Sequence, residues 1–330
     1  MPELWFFLVA GMIAMYFVLD GFDFGAAMVR PFVAKTETER AHVLEAIGPY
    51  WDGNEVWLIA AGGVSLCVFP GAFASVFAGL YLPLFMVLWS LILRGLSIEL
   101  SHLSEDSMWV AFWDFGFVAS GYLLALLFGV AAGNLLRGFP LDADGAFELE
   151  LFSAARPAVL DFYTLTVGLA TSAAFALQGA AFLAMKTGGQ LGERAESARR
   201  LLGVVTGALF VAAFVYTLRI RPELVASLLG RPLAFVPLAV AAVGLVLAIR
   251  PGHATLAFAG TSALLLGSGL SLAIAAFPVL VFSLAQPELS IVAAGESGGL
   301  RVALSWWAFG MALVAGYYVT LTRIHRGKVT

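Results

Sequence analysis

The sequence predicts an all-α, polytopic membrane protein, with residues 1–330 forming a single integral membrane domain. Three observations predict it. The chain is 61% apolar and only 12% charged, its mean hydropathy is +0.93, and its apolar residues fall in long continuous runs. Such a composition lies outside that of soluble domains. The runs approach or exceed the roughly 20 residues that a helix needs to cross a hydrocarbon core, whereas barrel strands would show segments of about ten residues with alternating polarity.

Nine stretches qualify as spans. The first, residues 4–29, follows Met1-Pro2-Glu3-Leu4, which has no basic region of the kind that opens a signal peptide, so it reads as a retained helix. Asp20 and Asp23 lie late in it. The second, 50–69, opens with Asp52 and Glu55, the third, 72–97, closes with Arg94, and the fourth, 109–134, carries Asp114 in its first turns. The fifth, 158–185, follows Pro157 and has Asp161 at its start, in the position of a capping or interfacial residue. The remaining four, 201–218, 232–249, 254–284 and 302–322, have uncharged interiors. The longest connections are 30–49, of mixed charge, 135–157, with Asp142, Asp144, Glu148 and Glu150, and 285–300, ending in Gly295-Glu296-Ser297-Gly298-Gly299. None is long enough to fold as a separate domain.

Orientation follows from Lys and Arg, which collect on the cytoplasmic side. With the N-terminus outside, Arg137, Arg156, Arg219, Arg221, Arg231 and Arg301 face out and the other 12 of the 18 basic residues face in. The C-terminus is therefore expected in the cytoplasm. The formal charge of −4, without a basic stripe carrying interleaved aromatics, argues against a nucleic-acid partner. Cys67 is alone and can form neither an internal disulfide nor a thiolate metal cage, so it is expected to be a small core residue. Trp5, Trp109, Trp113, Trp306 and Trp307 fall near segment ends, where indole rings anchor at the headgroup level. Gly21 with Gly25, and Gly129 with Gly133, are spaced to let helices approach closely.

The chemistry concentrates in the first third. A charged side chain at a helix centre in a bilayer costs about 2.5 to 3.5 kcal/mol on insertion scales and by default marks an ion or proton path. Asp20 and Asp23 are three apart on one helix and share neighbouring faces; at 1.5 Å per residue they sit about 14 and 9 Å from the expected cytoplasmic end near Val29. Asp52 and Glu55 begin the next helix from the same side, Arg94 ends the third there, and Asp114 lies near the start of the fourth. Carboxylates gathered at one depth suit a proton relay. The structural alternative pairs Arg94 with one of them and uses Asp52 or Asn54 to cap the second helix. His42, His102, His253 and His325 lie in loops or at segment ends, and no two face each other mid-membrane as axial haem ligands would. Met12, Met15, Met86 and Met311 read as core packing.

The charged stretches resemble subunit II of cytochrome bd-type quinol oxidases, including its cyanide-insensitive branch. The resemblance is carried by Asp20-Gly21-Phe22-Asp23-Phe24-Gly25, by Gly48-Pro49-Tyr50-Trp51-Asp52-Gly53-Asn54-Glu55-Val56-Trp57-Leu58, and by Tyr81-Leu82-Pro83-Leu84. It continues through Leu93-Arg94-Gly95, Phe112-Trp113-Asp114, Gly133-Asn134-Leu135-Leu136 and Lys186-Thr187-Gly188-Gly189, and so spans most of the chain in order. It implies about nine transmembrane helices in two four-helix bundles plus a peripheral helix, in a bacterial cytoplasmic membrane. It also implies a heterodimer with a larger haem-binding subunit I, which holds two b-type haems, a haem d and the quinol site, and with which a small accessory subunit can associate. The complex would oxidise quinol and reduce oxygen to water. This chain would carry no haem, although a structural quinone is implied in some members. By motif, Asp23 and Asp52, with Asp20, Glu55 and Asp114, are proton-path candidates, and Trp51, Trp57 and Arg94 would lie near the subunit boundary or a substrate route. One departure follows Arg94-Gly95: Glu99 keeps the family's acidic position, but Ser101 stands where a basic residue is expected.

The residues alone leave two other readings open. A proton-coupled secondary transporter would also place carboxylates in a bundle, but segments five to nine offer no mid-membrane ionisable counterpart. A structural scaffold would use the acids only to fix packing.

Overall fold

A computed structural model describes residues 1–153, 157–286, 290–292 and 298–329. Arg156 and Gly295-Glu296-Ser297 lie outside the described residues. The described residues are built mainly into α-helices, and among them eight are long and apolar enough to cross a membrane, or nine spans if one bent pair counts as a single span.

Helix α1 (Pro2–Val33) opens with proline at its first position, where a missing N–H costs nothing. It runs past the expected end at residue 29 and so takes Arg30 into the helix. The 30–49 connection contains α2 (Glu37–Ile47), begun by a capping box: Thr36 Oγ1 accepts from the Glu39 backbone N–H at 3.2 Å and Glu39 Oε2 accepts from the Thr36 N–H at 3.2 Å. Next comes α3 (Trp51–Val68).

The third expected span is not one helix. It divides into α4 (Pro70–Gly79), bent by 119° from α3, and α5 (Tyr81–Leu100). Pro70 disfavours helical backbone at Phe69, and the residues around α4 are held from outside. Ser75 Oγ donates to the Gly145 carbonyl at 2.6 Å, and the Phe147 ring presses so closely on Gly79 that no side chain would fit there. Gly145 and Phe147, remote in sequence, thus fix a break that hydropathy does not see.

Helix α6 (Ser107–Arg137) is capped by Asp106, and α7 (Phe162–Lys186) by Asp161, whose carboxylate accepts from the Thr164 N–H at 2.9 Å and also pairs with Arg137. The rest comprises α8 (Gly189–Ile220), α9 (Pro222–Leu229), α10 (Phe235–Ile249), α11 (Ala254–Ala276) and α12 (Gly298–Ile324). The expected eighth span, 254–284, ends as a helix at Ala276, because Pro278 forces Phe277 into an extended conformation (ψ 139°). Its remainder forms β1 (Val279–Val281), paired antiparallel with β2 (Ile291–Val292).

One bundle holds α1, α3, α5 and α6, and the other α7, α8, α10 and α11; α1 also packs on α7, α8 and α11 and so joins the two. Helices in lipid gain nothing from hiding apolar surface, so close approach at small residues holds them together. Gly25 on α1 and Gly179 on α7 meet backbone to backbone, as do Gly129 on α6 and Gly168 on α7, and Gly244 on α10 and Gly260 on α11. Gly133 lies against Thr164 in the same way. Helix α12 is peripheral. None of its spanning stretch is buried, and it touches the first bundle through Trp307, which packs edge-on to Trp5 with ring centroids 6.4 Å apart.

Two expectations are corrected. Cys67 is exposed on the outer face of α3 rather than buried in the core, because α3 turns its other side to α1. Trp5 is only 1% exposed and is not a headgroup anchor, because α12 covers it and its indole N–H is used by the Leu300 carbonyl at 3.2 Å.

The α1–α7 crossing generates a test. Gly25→Ala or Gly179→Ala should lower folded stability by about 1 to 3 kcal/mol, the usual cost of overpacking, and should reduce the yield of folded protein in detergent. Gly11→Ala, where nothing lies within 4 Å of the added methyl group, should not lower the thermal midpoint and should raise it slightly, since alanine is the better helix former.

Candidate functional site

The acids meet around one cation. On α5, Ser90, Arg94, Ser97 and Ile98 recur at helical spacing and all are buried, so Arg94 projects inward although α5 continues to Leu100. Its guanidinium is 0% exposed and pairs through Nη1 with Asp20 of α1 and through Nη2 with Glu55 of α3. The guanidinium carbon also lies 5.0 Å from the centroid of the Phe24 ring, a cation–π distance. Asp20 is fully buried, whereas the Glu55 side chain keeps 25% of its surface.

Asp23, one turn beyond Asp20, is also fully buried. It accepts a hydrogen bond of 2.8 Å from Asn54 Nδ2, which also donates to the Leu19 carbonyl at 3.2 Å. The far side of that amide is fixed from the peripheral helix, because Tyr318 Oη donates to Asn54 Oδ1 at 2.8 Å. Once its oxygen is committed to a hydroxyl donor, Asn54 has only its NH₂ group to offer Asp23. Helices α1, α3, α5 and α12 therefore all contribute to one polar cluster. Four buried polar atoms in it have no hydrogen-bond partner among the described residues: Tyr16 Oη, Asp20 Oδ2, Asp23 Oδ1 and Arg94 Nε. Tyr16 precedes Asp20 by four residues and so lies on the same face of α1.

The cluster faces three carboxyl groups with one guanidinium. It has carboxylate capacity beyond what Arg94 neutralises, and it has acceptors and donors left for a proton to use.

The other predicted residues lie elsewhere. Asp52 is exposed in the first turn of α3. It does not cap the helix and neither does Asn54: the cap position is Tyr50, without a side-chain bond, because Asn54 is turned to Asp23. Asp114 is not part of the Arg94 cluster. It pairs with Arg30 at the end of α1 and with Arg40 of α2 at 3.2 Å, about 15 Å along α1 from Asp20 at 1.5 Å per residue. Trp51 lies against Gly95, 3.4 Å from where a Cβ would stand, and lines a cavity of about 290 Å³ with Glu45, Glu99 and His102. Trp57 is half-buried, and its Nε1 has no acceptor among the described residues. The histidines lie in α2, after α5, before α11 and after α12.

Sequence reasoning missed Tyr16, Arg30 and Tyr318, and gave Asn54 the wrong task. The signals were faint. Arg30 looks like a loop charge, and Tyr318 is one aromatic in an apolar helix.

A model of the family described as cytochrome bd terminal oxidase subunit II matches residues 1–325. The "Probable cytochrome oxidase subunit 2" of Haemophilus influenzae is 35% identical over 213 residues, covering 64% of this chain and 56% of the relative. The Escherichia coli K12 "Cytochrome bd-I ubiquinol oxidase subunit 2" is 33% identical over 215 residues, 65% of this chain and 56% of the relative. The Bacillus subtilis "Cytochrome bd ubiquinol oxidase subunit 2" is 32% identical over 214 residues, 65% of this chain and 61% of the relative. The matched part thus spans little more than half the length of these relatives. A chain from the structure of bd oxidase from Geobacillus thermodenitrificans superposes with a TM-score of 0.80 over 98% of both chains at 15% identity, a likeness of fold.

The ion cluster generates a test. Removing one partner of a buried pair costs about 3 to 5 kcal/mol, because the remaining charge is stranded. Arg94→Met should therefore deplete folded protein in membranes, and adding Asp20→Asn and Glu55→Gln to it should restore part of the loss, as read by thermal unfolding in detergent. Stability equal to wild type in Arg94→Met would show that the pairs hold nothing together.

Proposed function

The chain belongs to the cytochrome bd terminal oxidase subunit II family, and we propose that it is the haem-free second subunit of a terminal oxidase that oxidises quinol and reduces oxygen to water. The observation that carries the reading is the extent of the family match, residues 1–325, which includes every helix of the Arg94 cluster. A quinol as reductant is supported by relatives named as ubiquinol oxidase subunits. The partner is a larger subunit I holding the b-type haems and haem d, which supply the electron transfer and oxygen chemistry. Support for a haem-free role comes from the histidines of this chain: His42 lies in the short helix α2, and His102, His253 and His325 lie just beyond the ends of spanning helices rather than at mid-membrane depth.

Oxygen reduction to water takes up protons as well as electrons, and this chain's contribution is a path for them. The exposure of the acids along α3 supports a direction. Asp52 is exposed in the first turn, Glu55 one turn deeper is 25% exposed, and Asp20 beyond Arg94 is fully buried. Asp52 takes a proton from the aqueous side, Glu55 and Asp20 pass it around Arg94, and Asp23 receives it. Asp114, held by Arg30 and Arg40, anchors the end of α1. Trp51 and Trp57 flank the same length of α3 and serve the boundary with subunit I. The surplus of Lys and Arg on one side supports an inner-membrane topology with the N-terminus outside and the C-terminus in the cytoplasm.

Affinity purification of this chain from native membranes should bring down a larger membrane partner with haem bands in the reduced-minus-oxidised spectrum; a colourless preparation lacking that partner would overturn the reading. In such a preparation Asp52→Asn should slow quinol-driven oxygen consumption by about tenfold, a barrier increase of about 1.4 kcal/mol, with haem content kept. Equal losses of haem and activity would make Asp52 structural instead.

A further inference from the structure

A cavity of about 410 Å³ opens where α7 and α12 end and α11 begins, beside the Tyr50 turn. Its inner wall is apolar. Phe22, Phe182 and Phe258 pack on one another there, with the Phe22 and Phe182 rings stacked at 4.3 Å and Phe258 within 6 Å of both. Of the polar side chains in the lining, Asn54 and Tyr318 are bonded to each other, and Asn54 is also bonded to Asp23. The rim is basic: Lys186, the last residue of α7, and His325, Arg326 and Lys328, which follow α12. No carboxylate lines the cavity among the described residues. Lys186 is held in place, since its ammonium group donates to the His325 carbonyl and lies 5.4 Å from the centroid of the Tyr50 ring. Arg326 and Lys328 are exposed and can turn towards a ligand.

An aromatic floor under a cationic rim, at the level where spanning helices end, matches a molecule with a hydrocarbon body and an anionic head at headgroup depth. A small free anion would use the rim and leave the floor without a role. A zwitterionic headgroup brings an ammonium group, for which a rim without carboxylates has no partner. We propose that this cavity binds one anionic phospholipid, its phosphate against Lys186, Arg326 and Lys328 and an acyl chain over Phe22, Phe182 and Phe258. The lipid closes the outer side of the Asn54–Tyr318 hydrogen bond. The inference does not depend on which side of the membrane the cavity faces.

The test uses the full chain purified with whatever membrane partners it retains. After delipidation, native mass spectrometry follows titration with phosphatidylglycerol, with phosphatidylcholine and with inorganic phosphate. One phosphatidylglycerol should bind tightly, and phosphatidylcholine roughly tenfold more weakly or worse. The double variant Arg326→Gln with Lys328→Gln should lose affinity for phosphatidylglycerol by a similar factor, while Arg323→Gln, outside the lining, should not. Equal binding of the two lipids would overturn the proposal, and so would an unaltered double variant. Displacement of the lipid by phosphate at like concentration would also overturn it and leave a small-anion site. Thermal stabilisation of the wild-type protein by phosphatidylglycerol over phosphatidylcholine reads the same preference without any substitution.

Discussion

A guanidinium with no route to water has to be neutralised by the protein around it, and Arg94 makes that demand in the middle of the first bundle. The cost of leaving it unpaired in lipid exceeds what most single contacts can return. Two helices answer it. Within the bundle, α3 packs chiefly on α1 and α5 chiefly on α6, so the ion pairs from Arg94 to Asp20 and Glu55 tie α5 to the other two where backbone packing does not. The polar cluster is therefore an architectural joint as well as the proposed proton path, and its acids cannot be exchanged freely even where a proton never passes.

Helix α1 reconciles this joint with the rest of the fold because its short central run serves two faces. At about 100° per residue, Asp20 and Asp23 point one way and Gly21 and Gly25 point roughly opposite. The acid face turns to α3 and α5, and the glycine face meets Phe175 and Gly179 of α7. Phe24, four residues after Asp20 and so on its side of the helix, comes under Arg94, while Phe22 points away to stack on Phe182. Each residue from Asp20 to Gly25 is thus committed to a contact with a neighbouring helix, and a shift of α1 by one residue would lose the ion pair and the glycine crossing together.

Much of this was legible in the sequence, for a physical reason. Long apolar runs and the cost of buried charge are properties of single segments, so the spans, the concentration of acids and the glycine spacing were readable directly. What needed a second segment was not. The break at Leu80 depends on Ser75 and Gly79 meeting Gly145 and Phe147, which are remote in sequence, and the stretch is apolar on both sides of it. Asn54 stands where a helix cap is expected, and only Asp23 below it and Tyr318 beside it reveal its other use. The Arg30–Asp114 pair was hidden because α1 continues beyond the point at which its hydropathy falls.

The division of the acids into two zones bears on which of them can do chemistry. Asp114 faces two guanidinium groups, Arg30 and Arg40, so a proton arriving there would replace an interaction that two cations already satisfy. At Arg94 the balance is reversed: one cation meets three carboxyl groups, with oxygens of Asp20 and Asp23 and the Tyr16 hydroxyl left over. A proton added to the second zone relieves repulsion among carboxylates, whereas one added to the first breaks an ion pair. The proposed path therefore runs along α3 to the deeper zone, while Asp114 holds α1, α2 and α6 together. The position of Tyr318 adds a condition: by keeping the Asn54 NH₂ group on Asp23, a peripheral helix sets how readily the last carboxylate in the path accepts what the others deliver.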